Sequence, residues 1–180
     1  MTRHLDARHL NVQALADTKQ SFAGTTPLQN MERLAPESVG LHDNKAINWN
    51  IAAESRPGAG GQPDVWLHLQ ADVVLALTCQ RCLAPSNTPV AVNQWYRFVA
   101  DEDTAMAQDD ASEEDLLVMT PQFDALQVLE DELLMALPLV PMHEVCPTQP
   151  TFRVGEGDMV DVEAEKPNPF AALAQLKNPK

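Results

Sequence analysis

A long run of strand-forming residues that ends at a pair of cysteines constrains this fold most. Val65 to Thr78 begins as a strict alternation of apolar and polar residues and then becomes continuously apolar. That pattern is typical of a long antiparallel strand that enters the core. Val90 to Val99 is a second strand-like run, and Cys79 and Cys82 lie between the two. We therefore expect the cysteines at the tip between two adjacent antiparallel strands.

The other elements follow from the same kinds of pattern. An apolar stripe predicts the main amphipathic helix at about 123–137, with residues 130–132 facing outward. The stripe consists of Leu126, Leu129, Leu133 and Leu137. Thr26-Pro27 is typical of a helix start, so we expect a helix from there to Pro36. Together these patterns predict an α+β fold with an antiparallel sheet, hairpin strands at about 64–79 and 89–99, short terminal helices near 10–20 and 166–177, and further strands near 20–24, 46–52 and 116–120.

The length of 180 residues suits a single domain, which we place at 1–180. Within it, residues 101–115 hold eight carboxylates and no basic residue, which predicts a mobile acidic loop. Residues 148–180 are polar and rich in turn-forming residues before their short helix, so we expect a loosely attached C-terminal segment.

The cysteine pair suggests a metal site. Cys79-x2-Cys82 has the spacing of one half of a tetrahedral zinc site, and His143-x2-Cys146 provides a second pair of possible ligands. The nine residues from Leu137 to Cys146 reach up to about 30 Å when extended, which is enough to bring the two pairs together. The alternative is that the three cysteines are reduced structural thiols and His143 is an ordinary loop residue.

Charge and composition restrict the classes of partner. The net charge is −14, which opposes a large phosphate-binding face. From Phe98 to Phe152 there are thirteen acidic residues and no Lys or Arg, which suggests a basic partner or a mimic of a polyanion. No apolar run reaches the length of a membrane span, and the first ten residues lack a secretory signal, so we expect a cytoplasmic protein.

Three classes of function remain to be weighed. Catalysis has little support, because the glycines lack a phosphate-binding context and Cys79 follows a strand rather than opening a helix. Direct RNA binding is suggested by a small basic and aromatic patch of Arg81, Trp95 and Arg97. An acidic binding module or chaperone for a basic protein, without RNA contact, is the alternative that the charge distribution favours.

Three segments carry a resemblance to a known family. They are Cys79-Gln-Arg-Cys82-Leu83, then Glu130-Asp-Glu through Ala-Leu-Pro to His143, and Lys166-Pro-Asn-Pro-Phe-Ala-Ala-Leu near the C-terminus. In this order they resemble the bacterial YceD family, the large ribosomal RNA subunit accumulation proteins. The resemblance implies a cytoplasmic, non-catalytic protein needed for synthesis, processing or stability of 23S rRNA, with a predicted metal site. Cys79 and Cys82 match the family pattern, whereas a ligand role for His143 does not follow from it.

Overall fold

The computed structural model describes residues 5–40, 45–58 and 61–148. The chain divides into two compact units, Met1–Thr148 and Gln149–Lys180, and the described residues all lie in the first. The predicted helix at 166–177 lies outside the described residues, and the loose attachment of 148–180 stays a prediction.

A five-stranded sheet forms the framework, with its strands side by side in chain order. The strands are β1 (Ser21–Pro27), β2 (Ala46–Pro57), β3 (Pro63–Thr78), β4 (Pro85–Val99) and β5 (Asp115–Val118). The first four pair antiparallel, and the predicted long hairpin of β3 and β4 is confirmed. The predicted α+β fold class is confirmed, but β5 pairs parallel to β4, so the sheet is mixed and the predicted antiparallel pairing does not extend to this strand.

The second hairpin strand begins four residues earlier than expected. The sequence predicts this strand from about residue 89, whereas β4 starts at Pro85, which pairs with Thr78. A proline removes one ladder hydrogen bond and is tolerated where a strand has an open edge. β5 pairs only with Tyr96 to Val99 of β4, so the proline-containing part has only β3 beside it among the sheet strands.

Two helices pack on one face of the sheet. α1 (Val12–Thr18) and the main helix, which the structure places at Ala125–Met135, place Leu15, Leu129 and Leu133 in one core with Leu67 and Leu69 of β3. Each helix begins at a side-chain cap, Asn11 or Asp124. None of the helices in the described ranges is long and apolar enough to cross a membrane.

The helix predicted from Thr26-Pro27 is wrong. Thr26 and Pro27 end β1, and two short 3₁₀ helices follow at Leu28–Asn30 and Ala35–Glu37. Leu28, Met31 and Leu34 are buried as the spacing suggested. The apolar spacing therefore reflects the burial of these three side chains and does not require a continuous helix.

Glu130 holds this irregular segment, and its predicted outward position is wrong. The side chain is buried, and it accepts hydrogen bonds from the backbone N–H groups of Arg33 and Leu34 at 2.8 and 3.0 Å. The Arg33 guanidinium lies 3.4 Å from the same carboxylate and also pairs with Asp131. Backbone donors and an arginine replace the water that a buried carboxylate would lose.

The acidic segment 101–115 contains a helix rather than a loop throughout. α2 spans Glu102–Gln108, a 3₁₀ helix follows at Asp109–Ala111, and β5 begins at Asp115. Asp101 caps α2 by accepting from the Thr104 N–H at 2.8 Å and from its hydroxyl at 2.6 Å, and these bonds lower the pKa of Asp101. Parallel neighbours need a crossover connection, which this segment supplies between β4 and β5. We call residues 100–114 the acidic crossover. The main helix Ala125–Met135 is accordingly α3.

Candidate metal centre

The turn at the hairpin tip is shaped by backbone hydrogen bonds around Cys79. The Cys79 N–H donates to the Ala84 carbonyl at 3.0 Å, and the Leu83 N–H donates to the Cys79 carbonyl at 2.8 Å. Leu83 adopts the left-handed conformation at φ 61°, which is uncommon for a residue other than glycine. The turn places Cys79, fully buried, and the half-buried Cys82 on the same side.

The second ligand segment returns to this turn from the end of α3. Pro138 and Pro141 prevent a helical continuation, so the chain after α3 runs in an irregular path. The Gln80 N–H donates to the Pro141 carbonyl at 2.9 Å, and an Arg81 guanidinium nitrogen lies 3.8 Å from Met142 Sδ. These contacts fix the segment that carries His143 and Cys146 against the tip.

The four predicted ligands meet. Their ligand atoms all lie within 4.8 Å of one another. Cys79 Sγ lies 3.9 Å from Cys146 Sγ, and Cys82 Sγ lies 3.4 Å from His143 Nδ1. A tetrahedral zinc ion with Zn–S bonds of about 2.3 Å separates its sulfur ligands by about 3.8 Å. The donor set and its spacing therefore fit a metal ion of this kind.

The imidazole of His143 is oriented by a backbone group. His143 Nε2 lies 3.0 Å from the Pro85 carbonyl oxygen, so the N–H of the ring belongs on Nε2. That assignment leaves the lone pair on Nδ1, the atom that faces Cys82. Metal-binding histidines commonly donate their other ring N–H to a carbonyl or carboxylate, which fixes the tautomer. Pro85 is the part of this arrangement that the sequence did not reveal, because backbone acceptors leave no signal in a motif.

The thiols differ in their protonation. Burial opposes ionisation of Cys79, but backbone N–H groups of His143, Cys82 and Arg81 donate to its sulfur and lower its pKa to about 5. At Cys146, burial first and then the thiols of Cys82 and Cys79 raise the pKa to about 11. The site thus favours a thiolate at Cys79, and a bound cation would displace the remaining thiol protons.

The three residues predicted to contact RNA or a partner lie in different settings. Arg81 is exposed at the tip, as expected for a contact residue. Arg97 lies near the opposite end of β4, where its guanidinium bonds Glu114 at 2.5 Å and also contacts Gln108 and Ser112 of the acidic crossover. Trp95 is half-buried and stacks on His68. The structure therefore does not bring Arg81 together with Trp95 and Arg97 in one patch.

A second group of side chains was missed entirely at the sequence level. Arg56 and His68 contact Trp95 on the sheet face opposite α1 and α3, and Arg56 also contacts Trp66. Each occupies an outward position in an alternating strand, where sequence patterns predict only solvent exposure. Their mutual contact becomes visible only once the register of three strands is known.

The comparisons with known proteins agree with these segments. A family model described as "Large ribosomal RNA subunit accumulation protein YceD" matches residues 67–177, a range that contains all four candidate ligands. The chain belongs to the YceD family. The resemblance inferred from the three sequence segments is confirmed.

A relative from Haemophilus influenzae extends the YceD match over nearly the whole chain. That protein, named Large ribosomal RNA subunit accumulation protein YceD, is 30% identical over 172 residues. The aligned region covers 93% of this chain and 95% of the relative. No solved structure matches the chain.

Proposed function

We propose that this YceD-family chain is a cytoplasmic, non-enzymatic factor that supports accumulation of large-subunit (23S) rRNA. The observation that carries the proposal is the family match over residues 67–177, which spans both halves of the candidate metal centre. The name of the Haemophilus influenzae relative supports the same role. Its action would lie in synthesis, processing or stability of the rRNA, through the rRNA itself or a pre-ribosomal particle.

We also propose that Cys79, Cys82, His143 and Cys146 bind one Zn²⁺ per chain. Support comes from the clustering of the four ligand atoms and from the Pro85 carbonyl that orients His143. A closed set of four protein ligands is typical of a structural zinc site rather than a catalytic one, which keeps a position for water or substrate. The ion would join the hairpin tip to the segment after α3.

Elemental analysis of protein purified without chelator tests the zinc proposal. We expect close to one equivalent of zinc, and the intense visible absorption of thiolate-bound cobalt after exchange with Co²⁺. His143→Gln should lower the metal content, while Glu144→Gln, a neighbouring exposed residue, should leave it unchanged. Metal far below one equivalent, with three freely reacting thiols, would contradict the proposal.

Genetic replacement tests the role in rRNA accumulation. The gene for the Haemophilus influenzae relative would be replaced by one for this chain, and the ratio of large-subunit to small-subunit rRNA measured. We expect the ratio of the replaced strain to match the parent and to fall with Cys82→Ser. A ratio that is normal in a strain lacking both proteins would contradict the role.

A second candidate partner is a basic ribosomal protein, bound without direct RNA contact. The specific observation in its favour is that seven of the eight carboxylates at 101–115 are exposed, while Glu114 is half-buried against Arg97. Co-purification at moderate salt, with and without ribonuclease, separates the candidates. Basic ribosomal proteins retained after ribonuclease treatment would favour this partner, and their loss would favour RNA.

A further inference from the structure

One face of the sheet carries aromatic, amide and charged side chains that belong neither to the metal centre nor to the core. Along β3, Val65, Leu67 and Leu69 are buried under the helices, while the alternate side chains point to the opposite face. We call that opposite side the exposed sheet face. The side chains that matter here come from β2 (Asn48, Asn50, Arg56), β3 (Trp66, His68, Gln70, Asp72) and β4 (Asn93, Trp95).

Four of these side chains form a stacked column of flat groups. The Arg56 guanidinium carbon lies 4.3 Å from the Trp66 ring centroid and 4.1 Å from that of Trp95. His68 and Trp95 stack in parallel, with centroids 4.2 Å apart and planes 1° apart. Arg56 Nε–H donates to the Glu54 carboxylate at 2.6 Å, which holds the guanidinium in place. The column is built from the side-chain types on which nucleic-acid bases stack.

A depression lined by amides adjoins this column on the same face. Its volume is about 420 Å³, and Asn48, Asn50, Gln70 and Asp72 supply its polar side chains. Asn50 donates to Gln70 at 3.2 Å, and Asn48 donates to Asp72 at 2.9 Å. Gln70 lies two residues from His68, about 6.8 Å along a strand. The amide depression therefore presents hydrogen-bond donors and acceptors next to the stacking surface.

We propose that the exposed sheet face binds single-stranded RNA, with bases stacked against the column and base edges bonded in the amide depression. The inference rests on the proposed role in rRNA accumulation and names the surface that would contact the RNA. Unpaired bases offer both a flat π face and free Watson–Crick edges, which match the column and the amides respectively. In a duplex the base faces are covered by stacking and the Watson–Crick edges by pairing, and this face has few cations to attract the phosphates that remain accessible.

The charge of the face predicts an unusual dependence on salt. Arg56 is the one formally positive side chain of the column, and it is already paired with Glu54. Each phosphate contact contributes about −0.7 to the slope of log affinity against log salt for a single strand. We therefore expect a slope no steeper than about −1.4, the value for two such contacts, because stacking supplies most of the affinity.

Fluorescence anisotropy of a labelled, mixed-sequence single-stranded RNA with the full-length protein tests the proposal. Trp95→Ala removes the ring that lies between Arg56 and His68 and so disrupts the column, and we expect binding about tenfold weaker. His68→Ala should weaken binding too, since one stacked base is worth roughly five- to 150-fold in affinity. Met106→Ala is the control. Its side chain is 72% exposed in the acidic crossover, outside both the column and the amide depression, so binding should change less than twofold.

Several results would overturn the RNA surface. They are an equal loss in Met106→Ala and Trp95→Ala, a tighter complex with the matching duplex, a salt slope far steeper than expected, or a protein that binds a basic ribosomal protein but no RNA. Metal content and thermal unfolding of each variant show whether it is folded. If Trp95→Ala does not fold, Trp95→Phe replaces it. Phenylalanine keeps a smaller stacking surface, so its affinity for the RNA should lie between that of the native chain and that of His68→Ala. Unchanged affinity in both Trp95→Phe and His68→Ala would refute the site.

The same variants distinguish this inference from the proposed function. A chain that binds RNA through Trp95 but fails to restore rRNA in the replacement strain would refute the function and leave the surface standing. A Trp95→Ala chain that restores rRNA fully while the native chain binds no RNA would refute the surface and leave the function standing.

Discussion

The two ends of the β3–β4 hairpin are held by different kinds of contact. At the tip, defined by Thr78–Pro85, thiols and an imidazole meet across sequence separations of 61 to 67 residues. At the base, where Val65 pairs with Phe98, the stacked column and the Arg97–Glu114 ion pair join strands and the acidic crossover. The same two strands therefore end in a ligand cluster on one side and in packed side chains on the other.

This difference predicts which end depends on a bound ion. Leu83, Leu139 and Val145 surround the tip and are largely exposed, so little apolar burial stabilises it. Three thiols in close contact are also stabilised more by a shared cation than by their contacts with one another. The base contacts are formed between side chains of the chain itself and involve no thiol. Removal of metal should loosen the tip and leave the base intact, and the following substitutions test that separation.

Cys79→Ser should have the largest effect. It removes a ligand from the most buried position of the cluster and leaves a hydroxyl there. We expect loss of the zinc and a decrease in the free energy of unfolding of at least about 3 kcal/mol, at the upper end of single-substitution effects. Zinc analysis and denaturant unfolding measure the two quantities.

Chelated native protein is the reference for this variant. It should resemble Cys79→Ser in stability, with Trp66 and Trp95 fluorescence close to native before the main transition. A Cys79→Ser protein that keeps one zinc and its full stability would show that the tip is held by packing, as the base is.

Arg97→Met should have an intermediate effect that is confined to the base. The side chain of Arg97 is 14% exposed and that of Glu114 is 23% exposed, so the substitution leaves a carboxylate without its partner in a partly buried site. We expect a loss of about 1–3 kcal/mol in the free energy of unfolding, with unchanged zinc content. Hydrogen exchange in the acidic crossover should become faster.

Arg81→Met provides the matched control at the tip. Arg81 is exposed, and its guanidinium lies 3.8 Å from Met142 Sδ. Its replacement should therefore change the free energy of unfolding by less than about 0.5 kcal/mol. Equal losses for the two arginine variants would mean that the tip and the base are not stabilised separately.

Much of the tip could be predicted from the sequence because its information is local. The alternation from Val65 placed the strand, and the spacing of Cys79 and Cys82 placed two ligands at its end. Proline residues 138 and 141 indicated an extended return that could reach the turn. What spacing alone could not decide was whether His143 and Cys146 reach the same point, which the contacts to Gln80 and Pro85 determine.

The base could not be predicted because its contacts depend on register and on long-range pairing. Arg56, Trp66 and Trp95 belong to three strands, and a one-residue shift would reverse the face of each side chain. The acidic residues at 101–115 suggested a loop by composition. The Asp101 cap and the parallel pairing of β5, which composition does not reveal, instead produce a crossover with a helix.

Leu83→Gly should have a small effect of the opposite sign. Leu83 has φ 61° and is 74% exposed, so glycine relieves backbone strain at the tip while little apolar burial is lost. Because a left-handed residue other than glycine costs about 1–3 kcal/mol and glycine costs about 0.5–1 kcal/mol in the unfolded chain, we expect a net gain of roughly 0.5–1 kcal/mol. Leu83→Ala keeps the strain and removes the exposed side chain, so its stability in denaturant should stay near that of the native protein. If Leu83→Ala destabilises as much as a core truncation does, or Leu83→Gly loses zinc, then the leucine side chain itself supports the tip, and packing contributes there as it does at the base.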